Sequence, residues 1–137
     1  MKTAAVVVTY NRRKLLFEQI EDVVCHQSYK VDRYYIIDNN SSDDTEECVK
    51  VYQSECPIEI KYCRMSENIG GAGGFYYGLK YAYDDGFDWM ILMDDDGKPY
   101  DRGCFHSAFS YIKKKELSAE DAYLINSLNF ILFFSLS

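Results

Sequence analysis

Four runs of residues along the chain have the hydrophobic pattern of strands in a covered sheet. Thr3 to Thr9 is continuously apolar or β-branched, as a central parallel strand requires. Tyr34 to Asp38 and Trp89 to Met93 are similar runs, and a carboxylate stands at the end of each. Ile58 to Cys63 alternates apolar and polar residues, which also predicts a strand.

The segments between these strands have apolar residues at helical spacing. Leu16, Ile20 and Val23 share one helix face, so Lys14 to about Gln27 is predicted to be helical. Because strands alternate with helices, we predict one α/β domain over residues 1–137, with a mostly parallel sheet and helices on both faces. The other predicted helices are one capped by Ser42 or Asp43 and running to about Ser54, one with Phe75, Leu79 and Ala82 on one face and its end at Gly86, and one from Asp101 to Lys115.

Two more apolar segments lie near the C-terminus. Tyr123 to Ile125 is predicted to begin a further strand. Asn129 to Ser137 is far shorter than the roughly 20 residues that span a bilayer, and we expect a strand that lacks partners. The N-terminal apolar run is too short for a signal peptide, so none is expected. The order of the elements, without a repeat or linker, predicts a single domain that stops early.

The charge and cysteine content argue against some classes of function. Fifteen basic and 22 acidic residues give a net charge of −7. Nonspecific binding to nucleic acid is therefore not expected, because it requires a basic surface. A nucleotide remains a candidate ligand, since a bound metal supplies positive charge locally. The five cysteines contain no CxxC pair, which favours free thiols in a reducing cytoplasm over a zinc or thioredoxin-like site.

Three consecutive aspartates, Asp94, Asp95 and Asp96, follow the fourth apolar run. Like charges repel one another and are costly to desolvate, so packing gives no reason to place them together. On an extended backbone, Asp94 and Asp96 point to one side and Asp95 points elsewhere. One interpretation is a Mg²⁺ or Mn²⁺ bound by Asp94 and Asp96, because these ions prefer oxygen ligands. The other is a polar turn after a strand.

Polar groups also follow the first two strands, at Thr9 to Asn11 and at Asp38 to Asn40. The ends of parallel strands meet at one edge of a sheet, where ligands of open α/β sheets bind. The glycine cluster from Gly70 to Gly74 precedes a helix and can expose N–H groups to phosphate or sugar oxygens. Its spacing matches neither a Walker A loop nor a dinucleotide fingerprint. A flexible turn with tight helix packing is the alternative interpretation of this cluster.

Several charged residues stand beside the predicted site. Arg12, Arg13 and Arg64 follow strands and could contact a diphosphate or a base, although we expect at least one of the first two to be solvated. His26 and His106 lie on predicted helices without a partner at metal-ligand spacing. We interpret both histidines as ordinary surface or boundary residues.

Four segments with these features occur in a definite order along the chain: Val6 to Arg12, Ile36 to Thr45, Glu67 to Phe75 and Met93 to Asp96. Together they resemble the family 2 glycosyltransferases of the GT-A fold. The Asn-x-Gly-Gly-x-Gly-Gly-Phe form and the full aspartate triplet are most similar to the branch that includes galactofuranosyl- and rhamnosyl-transferases. The resemblance covers about Thr3 to Tyr100 and implies the N-terminal, donor-binding part of such an enzyme, on a Rossmann-like sheet.

The resemblance implies a site for a sugar linked to a nucleoside diphosphate such as UDP or dTDP. Thr9 and Tyr10 would border the base, and Arg64 could lie against it. Asp38 would hydrogen-bond the uracil or thymine imide, or the ribose. The remaining cleft-lining residues it implies are Asn68, Gly70 and Gly71.

Asp94 and Asp96 match the DXD motif of the family. The resemblance implies that one carboxylate reaches the ribose or sugar and that the other ligates the Mg²⁺ or Mn²⁺ bridging the diphosphate. The implied reaction inverts the anomeric carbon and needs a general base. Glu116, Glu120 and Asp121 follow the motif, but none lies in a recognisable base motif, so no catalytic residue is assigned. We therefore expect a truncated donor-binding half.

Two other functions fit parts of the pattern. One is a nucleotide-sugar-binding module without turnover. The other is a haloacid-dehalogenase-like phosphatase, whose signature Ile91 to Gly97 resembles, although Lys98 stands where that signature has threonine. For the transferase we expect a glycan or lipid-linked acceptor and a cytoplasmic location, with peripheral association at the inner face of the membrane.

Overall fold

The computed structural model describes residues 1–116 and 131–134. Strands alternate with helices along the chain, as predicted. Within the described residues, no helix is long and apolar enough to cross a membrane. The elements are β1 (Thr3–Thr9), α1 (Arg13–Ile20), a π-helical segment (Glu21–His26), β2 (Arg33–Asp38), α2 (Thr45–Gln53), β3 (Glu59–Arg64), α3 (Gly70–Asp84), β4 (Trp89–Asp94), α4 (Cys104–Lys114) and β5 (Ile131–Phe134).

The strands form one sheet in the order β3-β2-β1-β4-β5. The first four strands are parallel, and β5 pairs antiparallel with β4. The order reverses direction between β1 and β4, which makes that pair the topological switch point where ligands of such sheets bind. The pairing of β5 corrects the expectation that the C-terminal apolar segment lacks partners.

Both faces of the sheet are covered, which confirms the predicted α/β architecture. On one face, apolar residues of α1, α2 and α4 pack against alternate residues of the strands, with Leu16, Val49 and Phe109 fully or almost fully buried. On the other face, α3 packs through Ala82 against strand residues such as Val6. β1 is buried along its whole length, as its continuous apolar run requires.

Three helix boundaries differ from the predicted ones. The first helix is regular only to Ile20 and continues as a π-helical segment to His26. The second begins at Thr45, whose N–H donates to Asp43 Oδ1 at 3.1 Å. The fourth begins at Cys104, and the predicted strand at Tyr123 to Ile125 lies outside the described residues.

The glycine cluster is the largest departure from the sequence-based prediction. We expected a loop between β3 and a helix, but α3 begins at Gly70 and includes all four of these glycines. Glycine is a poor helix former, so close packing on the sheet must outweigh propensity here. A Cβ on Gly74 would lie 2.6 Å from Val8 Cγ1, and one on Gly78 would lie 2.3 Å from Val6 Cγ1.

Candidate functional site

The polar residues that end the four parallel strands lie at one edge of the sheet, which we call the C-terminal edge. Thr9 pairs with Asp38, and Asp38 pairs with Arg64, in the register of β1, β2 and β3. On the other side of β1, Asp94 pairs with Val8. The structure therefore places the strand-end residues that sequence analysis selected along one edge of the sheet, with Thr9 and Asp94 at the switch point between β1 and β4.

The three aspartates have two different environments. The strand ends at Asp94, and the N–H of Gly97 donates to the Asp94 carbonyl at 2.9 Å, which closes a turn. Asp94 and Asp96 are exposed, whereas Asp95 is only 5% exposed. Asp95 is therefore buried while its two neighbours face solvent, and Asp95 and Asp96 lie on a turn rather than on the extended backbone that the prediction assumed.

Asp95 fixes the turn by binding to β1 and the residues after it. Thr9 Oγ1 donates to Asp95 Oδ2 at 2.9 Å, and Arg12 Nη1 donates to Asp95 Oδ1 at 3.2 Å. Burial raises the pKa of the Asp95 carboxyl, while the bonds from Thr9 and Arg12 act in the opposite direction. Asp95 is therefore a structural partner of Arg12, and the same guanidinium lies 3.8 Å from Asp96 Oδ2.

Gln19 is a contributor to this turn that sequence analysis did not select. Its side-chain amide lies in α1, is fully buried, and donates to the carbonyl oxygens of Asp94 and Gly97, the latter at 2.7 Å. The hydroxyl of Tyr34 donates to Gln19 Oε1 at 2.5 Å. The sequence shows only a glutamine among apolar helix positions, and periodicity alone does not show what a polar side chain contacts.

Asp38 is fully buried at the end of β2. Its carboxylate accepts hydrogen bonds from the Ser41 N–H at 2.9 Å and from the Tyr62 hydroxyl. Burial, followed by the bond to Asp38, raises the pKa of Tyr62, so the phenol stays protonated as the donor. Each carboxylate oxygen has two acceptor positions, so these two bonds leave one position free on each oxygen.

Arg64, at the end of β3, is held by the loop after β2. Its guanidinium donates to Asn40 Oδ1 at 3.1 and 3.2 Å and to the Ser41 carbonyl at 2.8 Å, and it pairs with Glu46 at 2.7 Å. Asn40 has a φ of +66°, a conformation that asparagine adopts more readily than most residues. Arg64 therefore lies at the edge beside Asp38 with its charge already paired.

The loop after β1 is hydrogen-bonded to the loop after β2. Asn11, with a φ of +50°, accepts hydrogen bonds from the N–H groups of Ser42 and Asp43 at 2.7 and 3.2 Å. Tyr10, which precedes it, leaves 45% of its surface exposed. Arg13 turns away and pairs with Asp44 at 2.8 Å, so the two adjacent arginines have different partners.

Two glycines at the start of α3 are open, in contrast to the packed ones further along. A Cβ on Gly70 or Gly71 would meet no atom within 4 Å, and Gly70 has a φ of +76°. Asn39 Nδ2 donates to the Gly70 carbonyl at 3.0 Å, and the Gly70 N–H donates to Asn68 Oδ1 at 2.9 Å. These bonds hold the beginning of α3 beside the end of β2.

The exposed carboxylates suit a divalent cation that also binds a phosphate ligand. Asp94 makes no side-chain hydrogen bond or ion pair within residues 1–116 and 131–134, and Asp96 makes only the long contact to Arg12. The same part of the chain holds no group of three or more candidate metal ligands. Mg²⁺ typically uses one or two carboxylates together with substrate phosphates and water, so the donor set fits such an ion.

No histidine or cysteine side chain in the described part of the chain forms a hydrogen bond or ion pair with the strand-end residues. His26 Nδ1 lies 3.2 Å from Asp22 Oδ1, within a cleft of about 500 Å³ that no strand-end residue lines. His106 is exposed, and all five cysteines are free thiols. Both histidines are exposed, which agrees with their interpretation as surface residues.

Comparison with known proteins assigns the chain to a family and its fold to a class. The sequence model of Glycosyl transferase family 2 matches residues 4–122. The chain therefore belongs to family 2 of the glycosyltransferases, as the four ordered segments predicted. This family match also removes the basis for the phosphatase alternative.

The individual relatives are transferases of sugars. The chain is 40% identical over 97 residues to the galactofuranosyltransferase GlfT1 of Mycolicibacterium smegmatis, covering 71% of this chain and 30% of that protein. It is 32% identical over 122 residues to GlfT1 of Mycobacterium tuberculosis, covering 89% of this chain and 39% of that protein. The chain thus spans about a third of the length of these relatives.

Solved structures show the same fold at low identity. S. aureus TarS in complex with UDP-GlcNAc has a TM-score of 0.72 at 22% identity, covering 85% of this chain and 32% of that one. The mannosyltransferase PcManGT from Pyrobaculum calidifontis, in complex with GDP-Man and Mn²⁺, has a TM-score of 0.68 at 21% identity, covering 81% of this chain and 32% of that one. These similarities support the GT-A assignment of the sheet and its helices.

Proposed function

We propose that the C-terminal edge binds a sugar nucleotide, UDP- or dTDP-linked, through a Mg²⁺ or Mn²⁺ held by Asp94 and Asp96. The observation that carries the proposal is the pair of exposed carboxylates on a turn that buried groups hold in place. When bound, the cation would act as a Lewis acid on the nucleoside diphosphate leaving group. The relatives that transfer galactofuranose make galactofuranose a candidate sugar, with rhamnose as a second.

The roles we propose for the other edge residues are those that the resemblance to the family implies. Thr9 and Tyr10 border the base, and the exposed Tyr10 ring offers an aromatic face to it. Asp38, oriented by Ser41 and Tyr62, accepts a hydrogen bond from the base imide or the ribose. Arg64 lies beside Asp38 against the base. Asn68, Gly70 and Gly71 line the cleft for the sugar and diphosphate, where the absence of side chains admits a ligand.

The proposed reaction is transfer of the sugar to a hydroxyl group of a glycan or lipid-linked acceptor, with inversion at the anomeric carbon. The location we propose is the cytoplasm, at the inner face of the membrane when the acceptor is lipid-linked. No described residue is assigned as the general base. A domain that binds the donor without turnover is therefore the second candidate, and a transfer assay separates it from the first.

The experiment that tests this proposal is calorimetric titration with UDP and dTDP, with and without Mn²⁺. We expect binding that requires the metal and a diphosphate, with UMP binding far more weakly because it lacks the second phosphate. Absence of metal-dependent binding would refute the proposed site. A parallel assay of sugar transfer from UDP-galactofuranose distinguishes an active transferase from a donor-binding domain.

A further inference from the structure

The side chain of Gln19 connects the core of the protein to the turn that carries the proposed metal ligands. It lies in α1 between the apolar core residues Leu16 and Ile20 and is 0% exposed. A buried amide is costly unless it is hydrogen-bonded. Here its three contacts, to Asp94, Gly97 and Tyr34, satisfy both donors of the amide and its oxygen.

The orientation of this amide is determined by its partners. Two of them are backbone carbonyl oxygens, of Asp94 and Gly97, which can only accept. The NH₂ group must therefore face the turn, and Oε1 must face the Tyr34 hydroxyl, which donates to it. Burial raises the pKa of Tyr34 well above its ordinary range, so the hydroxyl retains its proton. The contacts form one directed chain from β2 through α1 to the aspartate turn.

This chain of contacts acts on the backbone of Asp94 and leaves its carboxylate free. The two carbonyls that Gln19 binds are the first and last of the turn, and they enclose Asp95 and Asp96. Holding both ends limits the positions that the exposed carboxylates can take. Partners one step removed from a metal orient its ligands in this way and strongly affect its affinity.

We propose that Gln19, oriented by Tyr34, is a positioning residue that holds Asp94 and Asp96 in the arrangement that binds a divalent cation with a nucleoside diphosphate. The inference rests on the proposed function of the same edge. It assigns to the core face of α1 a role in donor binding in addition to packing.

The chain provides matched controls for both residues. Gln27 is 3% exposed and also binds backbone groups with its side chain. It donates to the Asp101 carbonyl at 2.6 Å and accepts from the Phe105 N–H at 3.1 Å, where the segment between β4 and α4 ends. Tyr35 follows Tyr34, is equally buried, and donates to Asp85 at 2.6 Å on the opposite face of the sheet. Neither control contacts the aspartate turn in the described structure.

The test measures two affinities in the 137-residue chain and four variants: Gln19→Glu, Tyr34→Phe, Gln27→Glu and Tyr35→Phe. The first affinity is for Mn²⁺ in the presence of UDP, followed by electron paramagnetic resonance of the free ion. The second is for uridine without metal, followed by saturation-transfer NMR. Circular dichroism and urea unfolding record whether each variant is folded.

We expect Gln19→Glu to weaken Mn²⁺ binding about 10- to 100-fold, because both N–H donors to the turn are lost. Tyr34→Phe, which preserves shape, is expected to weaken it several-fold. Gln27→Glu and Tyr35→Phe should retain the wild-type affinity for Mn²⁺, and all four variants should bind uridine as wild type does. This split between metal and nucleoside is not expected from a general loss of stability.

Three outcomes would overturn the inference. If wild type binds Mn²⁺ with UDP and the folded Gln19 and Tyr34 variants bind it equally well, positioning is refuted while the proposed function stands. If Gln27→Glu lowers the affinity for Mn²⁺ as much as Gln19→Glu does, the effect is general destabilisation. If wild type itself binds no metal with UDP, the proposed function fails and the inference fails with it. Should Gln19→Glu not fold, Tyr34→Phe alone decides.

Discussion

The two edges of the parallel sheet differ in whether their carboxylates have hydrogen-bonding partners. Near the N-terminal edge, Asp85 follows α3 and accepts hydrogen bonds from Arg33 at 2.8 Å, Tyr35 at 2.6 Å and Lys61 at 2.8 Å. At the C-terminal edge, Asp94 has no side-chain partner among the described residues, and Asp96 has only a long contact to Arg12. At one edge two cations and a phenol converge on Oδ2 of a single carboxylate, and the other edge leaves two carboxylates open.

We infer that the paired carboxylate contributes to stability and that the open carboxylates serve ligand binding. Removing one partner from a hydrogen-bonded network of charged groups leaves the other groups unpaired and costs folding free energy. The open carboxylates repel each other and stabilise little until a cation binds. Their turn is nevertheless held by Gln19, Thr9 and Arg12, so the protein orders their backbone while leaving their oxygens available. We therefore expect substitutions at the two edges to have opposite consequences.

The largest expected effect comes from removing an open carboxylate. Asp94→Asn should lower the affinity for UDP with Mn²⁺ by more than about 100-fold, because residues one step further from a metal already change its affinity 10- to 100-fold. The free energy of unfolding without ligand should remain unchanged or rise slightly, since a repulsive charge is lost. Calorimetry with and without Mn²⁺, together with urea unfolding, measures both quantities. Unchanged metal-dependent affinity would remove Asp94 from the site.

The glycines of α3 provide a second contrast between packed and open positions. Gly78→Ala should lower the free energy of unfolding by about 1–3 kcal/mol through overpacking, because its Cβ would overlap Val6. Gly71→Ala meets no atom within 4 Å and should preserve or raise stability by up to about 1 kcal/mol, since alanine favours helix.

The same pair of variants tests whether Gly71 lines the proposed donor-binding cleft. Gly71→Ala is expected to weaken binding of UDP with Mn²⁺, because Gly71 is proposed to line the cleft. Urea unfolding gives the stabilities, and calorimetry gives the affinities. A destabilised Gly71→Ala that binds as wild type would contradict the division between packed and open glycines.

The carboxylate near the N-terminal edge should affect stability without affecting binding. Asp85→Asn removes the charge that Arg33 and Lys61 share, at sites that are only partly buried. We expect a loss of about 1 kcal/mol of unfolding free energy and an unchanged affinity for UDP with Mn²⁺. A large loss of ligand affinity in this variant would show that the two edges are coupled.

The smallest expected effect is a dependence on pH at this same carboxylate. Bonds from Lys61, then Tyr35, lower the pKa of Asp85 below its ordinary 3.8. A lowered pKa stabilises the fold above the unfolded-state value, and this contribution is lost as pH falls through the folded-state value. The stability difference between wild type and Asp85→Asn should therefore shrink as pH decreases from about 5. Urea unfolding across this range would contradict the assignment if the difference stayed constant.

Much of the C-terminal edge could be predicted from the sequence because periodicity and strand order act over short distances. The apolar runs that end in Thr9, Asp38 and Asp94 predict parallel strands, and parallel strands place their ends together. The helical state of Gly70 to Gly74 could not be predicted, because it involves the close approach of Gly74 to Val8 on the sheet. Propensity argues for a loop there.

The hydrogen bonds from Gln19 to the aspartate turn could not be predicted either. Gln19 and Asp94 are 75 residues apart, and nothing in the helical pattern of α1 distinguishes a polar contact from a solvated side chain. The hydroxyl of Tyr62 on Asp38 likewise depends on the register of β2 against β3. These tertiary contacts determine how the selected residues are held, whereas the sequence pattern indicated which residues gather.

The most direct test of the account is the position of a bound Mn²⁺. The paramagnetic ion, added with UDP to ¹⁵N-labelled chain, broadens amide signals near it. We predict broadening at Thr9, Gly70 and Gly97, at the C-terminal edge, and sharp signals at Asp85 and Gly86. Asp94→Asn should abolish the broadening. Broadening centred on the N-terminal edge, or none that depends on UDP, would contradict the claim that the open carboxylates form the metal–diphosphate site.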